Sequence, residues 1–388
     1  MSIIKVSLFS QVLRLIDRNV FNRIVREHQS DKHSKGINSW THLVAMLFMH
    51  MANATSIRDI TNGLRSATGN LQHLGVHRAP SKSSLSYINA HRSYKIFEEL
   101  YYSLLDLLEP SLQRRRKYAQ RLKRKIFIMD SSIIPLCLSL FDWAKFRTHK
   151  GAVKLHAVLD YDTGLPCYAV MTDGKQHDIK IAAQTLFPTK SVLIVDRAYV
   201  DYEWLNNLDS SGVFFVTRLK NNADIQIVQS YLTDEKHEHI LSDADMVLSG
   251  FYSSKKYPQA LRVVHVYDQE NHQDLYLLTN NLSWTADTIS QLYKARWDIE
   301  VFFKHLKQLF RVKTFIGTTA NAVRIQMWTS MIAMLLFRYL KNTAQYPWHL
   351  SNLVSFLRIN LFVKIELFKW LNNPLIPKDK SPPIATLF

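Results

Sequence analysis

The chain has 388 residues, enough to bury a substantial core and to form two or three domains. Its 49 Lys and Arg against 32 Asp and Glu give a formal net charge of +17, which favours a polyanionic partner, with nucleic acid the first candidate. Two cysteines, Cys137 and Cys167, exclude a disulfide framework and a cysteine-based zinc module, and they are typical of a reducing cytoplasm.

A membrane surface is the competing partner for so basic a chain, but neither a lipidation motif nor a signal-peptide pattern supports it. The most apolar stretch, residues 327–337, is about half a bilayer span long and lies between Arg324 and Arg338. It therefore predicts a buried helix, and we expect a soluble protein.

Residues 1–120 are predicted to form a helical domain, because apolar residues recur there at helical spacing. In the segment 81–92, Ser81 is a candidate N-cap, Lys82 is predicted to be exposed, and one helix face carries Asn89 and Arg92. Together with a helix at 56–64, this segment predicts either a helix-turn-helix whose second helix enters a DNA major groove or part of a plain helical bundle.

Residues 114–125 carry eight cations in twelve positions and no acid. Such a run is usually a solvated face, but this one adjoins the first predicted strand. We expect Arg114, Arg115 and Arg116 to contact DNA phosphates, and the run to join the helical domain to the next one.

From residue 125 the pattern becomes that of strands. Residues 126–129 predict a buried strand that ends at Asp130, and residues 191–195 predict a second one that ends at Asp196. Between them lie strands at 153–159 and 167–171 and a helix at 179–186; a helix at 202–208 and a strand at 213–217 follow. Three strands, a helix, a strand, a helix and a strand are the order of an α/β fold of the RNase H-like, retroviral-integrase-like type.

About a hundred residues then separate Asp196 from the next acid of interest, Glu300. They predict a β-rich insertion at 223–285 with strands at 225–231, 246–252, 261–267 and 274–279. We place the catalytic domain at 121–345 and a helical C-terminal extension with a Pro-rich tail at 346–388.

The stretch 293–307 lies on a predicted helix at 287–310 that has two adjoining faces. One face is apolar and predicts core contacts: Leu292, Ile299, Phe303, Leu306 and Phe310. The other carries one carboxylate among cations and a phenol: Tyr293, Arg296, Glu300, Lys304 and Lys307. By pattern alone this is an amphipathic surface helix with ion pairs such as Glu300–Lys304.

The spacing of Tyr293, Arg296, Glu300 and Lys307 resembles the signature of bacterial cut-and-paste transposases of the insertion-sequence-four family. Residues 1–120 also resemble the helical domain that precedes the catalytic core in one branch of that family. The resemblance implies that Glu300 is the third acid of a metal-binding DDE triad with Asp130 and Asp196, which stand side by side on adjacent parallel strands. It also implies that the tyrosine, the arginine and Lys307 contact phosphates near the cleaved end; Lys304, Lys82 and Arg92 are further candidates for DNA contacts.

Three carboxylates without cysteines or a histidine cluster suit hard divalent cations, so we expect two Mg²⁺ ions, for which Mn²⁺ substitutes. Asp130 would bridge the two ions, Asp196 would bind one and Glu300 the other. The implied function is a DNA transposase that acts as a homodimer or higher assembly on the terminal inverted repeats of an insertion sequence and on target DNA, in the bacterial cytoplasm at the nucleoid. Two alternatives are a metal-dependent nuclease of the same fold and an inactive DNA-binding repressor; the presence of all three acids argues against the repressor.

Other candidates are weaker. Asp298 points away from Glu300 on the helix, and His177-Asp178 resembles a recurrent family stretch whose role is unclear, so neither joins the triad. Trp143, Trp284 and Trp297 are candidates for stacking on a flipped base, although core packing is favoured for each.

Overall fold

The computed structural model describes residues 6–32, 34, 36–67, 69–112, 122–137, 139–147, 150–233, 238–310, 312 and 314–375. The chain forms two compact units: Met1–Leu112 with Leu306–Phe388, and Gln113–His305. Arg114, Arg115 and Arg116 lie outside the described residues, as does most of the Pro-rich tail.

The first unit begins with six helices, as predicted. They are α1 (Leu8–Leu13), α2 (Arg18–Glu27), α3 (Ser39–Ala52), α4 (Ile57–Ser66), α5 (Lys82–His91) and α6 (Lys95–Leu112). Their starts follow from local chemistry, because Asn38, Ser56 and Ser81 each accept a hydrogen bond from a backbone N–H of the first turn that has no partner within the helix. Almost every residue of α3 is buried, so this helix is the centre of the unit.

The second unit contains a mixed sheet of ten strands in the part of the chain described. They are β1 (Ile126–Leu136), β2 (Lys145–Arg147), β3 (Lys150–Asp160), β4 (Leu165–Asp173), β5 (Val192–Val195), β6 (Phe214–Arg218), β7 (Ile225–Tyr231), β8 (Ile240–Leu248), β9 (Leu261–Asp268) and β10 (Gln273–Thr279). Their order is β2-β3-β1-β5-β6-β10-β9-β8-β7, with β4 paired to β3. The strands predicted as an insertion therefore continue the same sheet.

Strand directions confirm the RNase H-like order. β1, β3 and β4 form an antiparallel meander, whereas β1 pairs in parallel with β5, and β5 with β6. Apolar side chains from both kinds of strand share one core with the helix at 202–210: Met129, Leu193, Val195, Trp204, Leu205 and Phe215. Burial on both sides explains why the parallel strands are continuous apolar runs.

Five helices accompany this sheet or follow it. They are α7 (Asp178–Ala182), α8 (Tyr202–Ser210), α9 (Phe251–Lys256), α10 (Ala286–Lys294) and α11 (Trp297–Leu309). Two details differ from the sequence prediction. The stretch 246–252 is not one strand, because β8 ends at Leu248 and α9 begins at Phe251. The helix expected at 287–310 is divided into α10 and α11.

The chain ends in α12 (Ala320–Thr343), α13 (Leu350–Ile359) and α14 (Leu367–Asn372), which belong to the first unit. Backbone bonds from Leu8 and Phe9 to the carbonyls of Val363 and Leu361, 3.0 and 2.9 Å long, tie the two ends of the chain together. The Gln11 side chain adds bonds to the Ile365 carbonyl and the Leu367 N–H, at 2.6 and 2.9 Å. Residues 346–375 are therefore part of the N-terminal helical unit and not a separate extension of the catalytic domain.

The helix-turn-helix interpretation does not fit the geometry of α4 and α5. Fifteen residues, 67–81, separate the two helices and include a short 3₁₀ turn, Gln72–Leu74, whereas a helix-turn-helix has a turn of about three or four residues. The face of α5 that carries Asn89 points inward, because Asn89 is buried and its amide oxygen lies 3.3 Å from His42 Nε2. The plain helical bundle is the better description.

Candidate functional site

Asp130 and Asp196 stand next to each other on the sheet. The parallel pairing of β1 and β5 ends at Met129 opposite Val195, so the next residue on each strand is one of the two aspartates. β1 itself continues to Leu136, held by β3 alone, and Asp130 is therefore inside a strand, at the point where the parallel pairing stops. Each carboxylate accepts a hydrogen bond from the next backbone N–H, Ser131 or Arg197, over 2.7 Å.

The charge of Asp130 is costly in this position. Burial is the main cause that raises the pKa of its carboxyl to about 6, and repulsion from Asp196 and Asp178 adds to the rise. The Ser131 N–H and the Arg296 guanidinium act in the opposite direction but do not cancel it. A buried carboxylate with two acidic neighbours is an environment that a cation would relieve.

Arg296 connects the third acid to this pair. Its Nη1 lies 2.6 Å from Glu300 Oε1, and the guanidinium interacts electrostatically with both Asp130 and Asp196. Burial disfavours the cation, yet Tyr293, Glu300 and Asp196 together raise the pKa of Arg296 above its usual value. The structure therefore brings Asp130, Asp196 and Glu300 into the range of a single guanidinium.

The break between α10 and α11 positions that guanidinium. Around Ala295 the backbone bonds span three residues: Arg296 N–H donates to Tyr293 and Asp298 N–H to Ala295, each over 3.0 Å. Such bonds tighten the turn and start a new helix at Trp297. Neither Pro nor Gly occurs in this stretch, so the sequence carries no local signal for the break.

The two helix faces predicted around 293–307 are only partly as expected. The apolar face is confirmed, since all five of its predicted core residues are buried. Tyr293, predicted on the polar face, is only 7% exposed, and its phenol interacts with Arg296, Asp196 and Arg218. Lys304 is exposed, whereas Lys307 is half-buried and falls in the other compact unit.

Divalent cations suit the chemistry of this carboxylate set, because Asp and Glu oxygens are the ligands preferred by Mg²⁺ and Mn²⁺. The repulsion that raises the pKa of Asp130 agrees with such a role. In the described part of the chain, however, no three His, Cys, Asp or Glu side chains are already close enough to hold an ion together. Completing the site requires Glu300 to exchange its bond with Arg296 for a metal.

The predicted DNA contacts of the first unit fare differently. Lys82 is exposed at the start of α5, as expected. Arg92 is only 9% exposed, and its Nη2 bonds to the Ile37 carbonyl at 2.7 Å and lies 3.3 Å from Asp31 Oδ1. A guanidinium so enclosed supports the helical unit from inside, and the prediction that it faces DNA is wrong.

Of the three tryptophans considered for base stacking, Trp297 is the exposed one, at 59%, at the first position of α11. Trp284 packs on Phe214 with ring centroids 5.4 Å apart, and Trp143 lies 6.3 Å from Phe141.

Comparison with known proteins identifies the family. Residues 121–336 match the family model described as the transposase DDE domain. The chain belongs to this family. Residues 5–77 of the transposase also match a second model, described as a domain of unknown function (DUF4372). The DDE domain generally depends on divalent metal ions.

Relatives of the transposase are proteins of bacterial mobile elements. A protein of Sinorhizobium fredii named as a transposase, y4zB, is 31% identical over 67% of this chain and 71% of its own length. One of Geobacillus stearothermophilus named as a transposase for insertion sequence element IS5377 is 29% identical over 66% of this chain and 67% of its own length. A third, of Synechocystis, is named for element IS4SA and is 26% identical over 75% and 81% of the two chains. The protein is thus a DNA transposase of the bacterial insertion-sequence type.

Among solved structures, a piggyBac transposase synaptic complex with hairpin DNA covers 95% of this chain and 82% of its own, with a TM-score of 0.43 and 10% identity. That likeness is too remote to carry an argument about the site. In the described residues, no helix is long and apolar enough to cross a membrane.

Proposed function

We propose that the transposase cuts DNA at the terminal inverted repeats of its insertion sequence and joins the freed ends to target DNA, with Asp130, Asp196 and Glu300 as its catalytic acids. The observation that carries this proposal is the register of β1 and β5, because it makes two aspartates from distant parts of the chain direct neighbours beside Arg296 and Glu300. The repulsion between buried carboxylates favours a bound cation over an ordinary turn or cap.

The three carboxylates would hold the metal, Asp130 between two ions and Asp196 and Glu300 at one ion each. When bound, two Mg²⁺ or Mn²⁺ ions supply stabilisation of the attacking and leaving oxygens of an in-line displacement. In the first reaction a water oxygen attacks phosphorus, and the 3′ oxygen leaves as a hydroxyl. In the second, that 3′-hydroxyl gives up its proton and attacks a target phosphodiester, whose own 3′ oxygen leaves.

Arg296 and its neighbours would bind the DNA strand near the cleaved bond. A guanidinium binds a phosphate through two parallel hydrogen bonds, so Arg296 can exchange Glu300 for a phosphate when the metal takes the carboxylate. Lys304 and Lys307 follow on the same helix, and Tyr293 packs under the guanidinium with its ring centroid 5.8 Å from Cζ. Lys82, Arg114, Arg115 and Arg116 are proposed as further phosphate contacts.

Two element ends must be held together for joining, so we propose a homodimer or higher assembly on DNA, working at the bacterial nucleoid. A nuclease of the same fold would cut without joining. Incubating the protein with Mg²⁺, oligonucleotides that bear the terminal repeats and a supercoiled target separates the two functions, since joined products require strand transfer and nicks alone mean hydrolysis.

The triad is tested by Asp130→Asn, Asp196→Asn and Glu300→Gln, which remove charge and keep size. Each should lose cleavage and joining, because each removes a metal ligand, while repeat binding in a gel-shift assay with EDTA persists. Asp298→Asn, two residues before Glu300, is the matched control and should cut like the wild type. Mg²⁺-dependent cleavage retained in all three variants would refute the assignment.

A further inference from the structure

A second group of charged side chains lies beside the aspartate pair, on β3 and at the start of α7. Lys154 Nζ lies 3.2 Å from both oxygens of Asp178 and 3.1 Å from the Gln176 carbonyl. His156, two residues along the same strand, places Nδ1 3.3 Å from Asp178 Oδ1 and Nε2 2.9 Å from Thr172 Oγ1. Asp178 is therefore held from two directions.

The members of this group are buried to different degrees. The side chains of Lys154 and His156 are 11% and 0% exposed, whereas Asp178 keeps 25%. Burial lowers the pKa of His156 to about 4, with Asp178 opposing the fall and Lys154 adding to it, so the imidazole is neutral near pH 7. Lys154 is thus the cation that fixes the carboxylate, and Asp178 is the member of the group that can still reach solvent or a ligand.

Asp178 faces the proposed catalytic site. It is one of two carboxylates that repel Asp130, the other being Asp196. It is also the largest charged influence on Tyr199, a fully buried phenol that interacts with Asp130 and Asp196 as well. The β1–β3 register puts His156 opposite Ser131, the residue after Asp130. The group and the aspartate pair are therefore parts of one polar region at the edge of the core.

A purely structural role, in which the ion pair fastens α7 to β3, does not account for this arrangement. Burying a Lys–Asp pair costs desolvation free energy that an apolar contact would avoid. The same carboxylate also places like charge beside Asp130, which a fold under no other constraint would avoid. Both costs are explained if the region has to attract a cation.

We propose that Asp178, held by Lys154 and His156, is a positioning residue that strengthens divalent-cation binding by Asp130 and Asp196. It does so by adding negative potential and by accepting a hydrogen bond from a water molecule on the ion, since Mg²⁺ keeps several waters when bound. This inference rests on the proposed metal-dependent function. The residue is not a fourth direct ligand in this account, and Lys154 limits how far its carboxylate moves.

The test measures Mn²⁺ binding to the full-length protein by calorimetry and electron paramagnetic resonance, without DNA. Asp178→Asn should weaken Mn²⁺ binding by about tenfold or more, the usual effect of losing an outer-shell partner. Asp173→Asn, an exposed carboxylate five residues earlier, is the matched control and should bind Mn²⁺ like the wild type. In cleavage assays, half-saturation by Mg²⁺ should shift by the same factor for Asp178→Asn, and the rate should recover at high Mg²⁺.

Loss of the aspartate leaves Lys154 buried without its partner, so the double variant Lys154→Met with Asp178→Asn serves as the second test. It should melt at a temperature near that of the wild type and still bind Mn²⁺ weakly. Wild-type Mn²⁺ affinity in a folded Asp178→Asn or double variant would overturn the inference, as would lost cleavage that high Mg²⁺ does not restore. Asp196→Asn separates the two proposals, because unchanged Mn²⁺ binding in that variant would mean that the metal site itself is wrong.

Discussion

At the scale of single residues, Asp130 shows the conflict between folding and function. Its carboxyl is surrounded by a buried strand, Asp196 and Asp178, with only Arg296 to offset the repulsion. Folding without a cation therefore favours the protonated carboxyl. Active sites often hold such groups at a cost in stability.

This conflict predicts how stability depends on pH in the absence of metal. The pKa of Asp130 rises from 3.8 to about 6 on folding, so its stabilising contribution is complete below about pH 4 and is lost as pH rises through 6. Asp130→Asn should therefore be more stable than the wild type at pH 7.5 in EDTA, by about 1–3 kcal/mol. Urea unfolding measures the difference, which should shrink at pH 4.5. Equal stabilities at pH 7.5 would contradict the repulsion, and Asp173→Asn should differ from the wild type by no more than about 0.5 kcal/mol.

At the scale of elements, a buried ion pair fastens the outer strands of the sheet to the segment that leads to the site. Arg262 on β9 binds Asp243 on β8 through two bonds of 2.8 and 2.6 Å, and its Nη1 donates to the Leu282 carbonyl at 2.6 Å. Leu282 lies just before α10, which carries Tyr293 into the site. The strands of the insertion therefore help to position the break at Arg296.

Arg262→Ala should lower the free energy of unfolding by about 3–5 kcal/mol, because it leaves the Asp243 carboxylate buried without its cation. Denaturant unfolding measures this loss. The matched control is Lys294→Ala, which removes an exposed pair with Glu270 at 2.9 Å and should cost about 1 kcal/mol or less. A loss of similar size in the two variants would show that the buried pair has no special weight.

At the scale of the whole molecule, the net charge of +17 predicts DNA binding that weakens steeply with salt. Each phosphate contact contributes a slope of about −0.9 in a plot of log K against log salt. Lys82→Ala and Lys304→Ala should each make the slope less steep by about that amount, because both side chains are exposed. Fluorescence anisotropy with labelled DNA at several salt concentrations measures the slopes.

Arg92→Gln is the control for this experiment, since it also removes one positive charge. Its guanidinium is enclosed by Asp31 and the Ile37 carbonyl, so the slope should stay the same while stability falls by about 1.5–3 kcal/mol. A reduced slope in Arg92→Gln, or unchanged slopes in both lysine variants, would contradict the placement of these residues.

The sequence by itself determined the order of the strands, the two aspartates that end apolar runs, and the buried face of the helix that carries Glu300. These are local properties: side-chain periodicity reports which face of one element is apolar, and it needs no knowledge of the partner. The signature spacing of Tyr293, Arg296, Glu300 and Lys307 then indicated the family, which the comparisons confirm.

Only the tertiary structure decided how these elements meet. That β1 continues past Asp130, that the helix breaks at Arg296, and that Arg92 points inward all depend on partners distant in sequence. Lys154 and His156 left one signal, two polar residues alternating in an apolar run, but their partner Asp178 lies beyond the next strand. Periodicity reports contacts within a few residues, whereas pairing register and buried ion pairs are set by the packing of the whole unit.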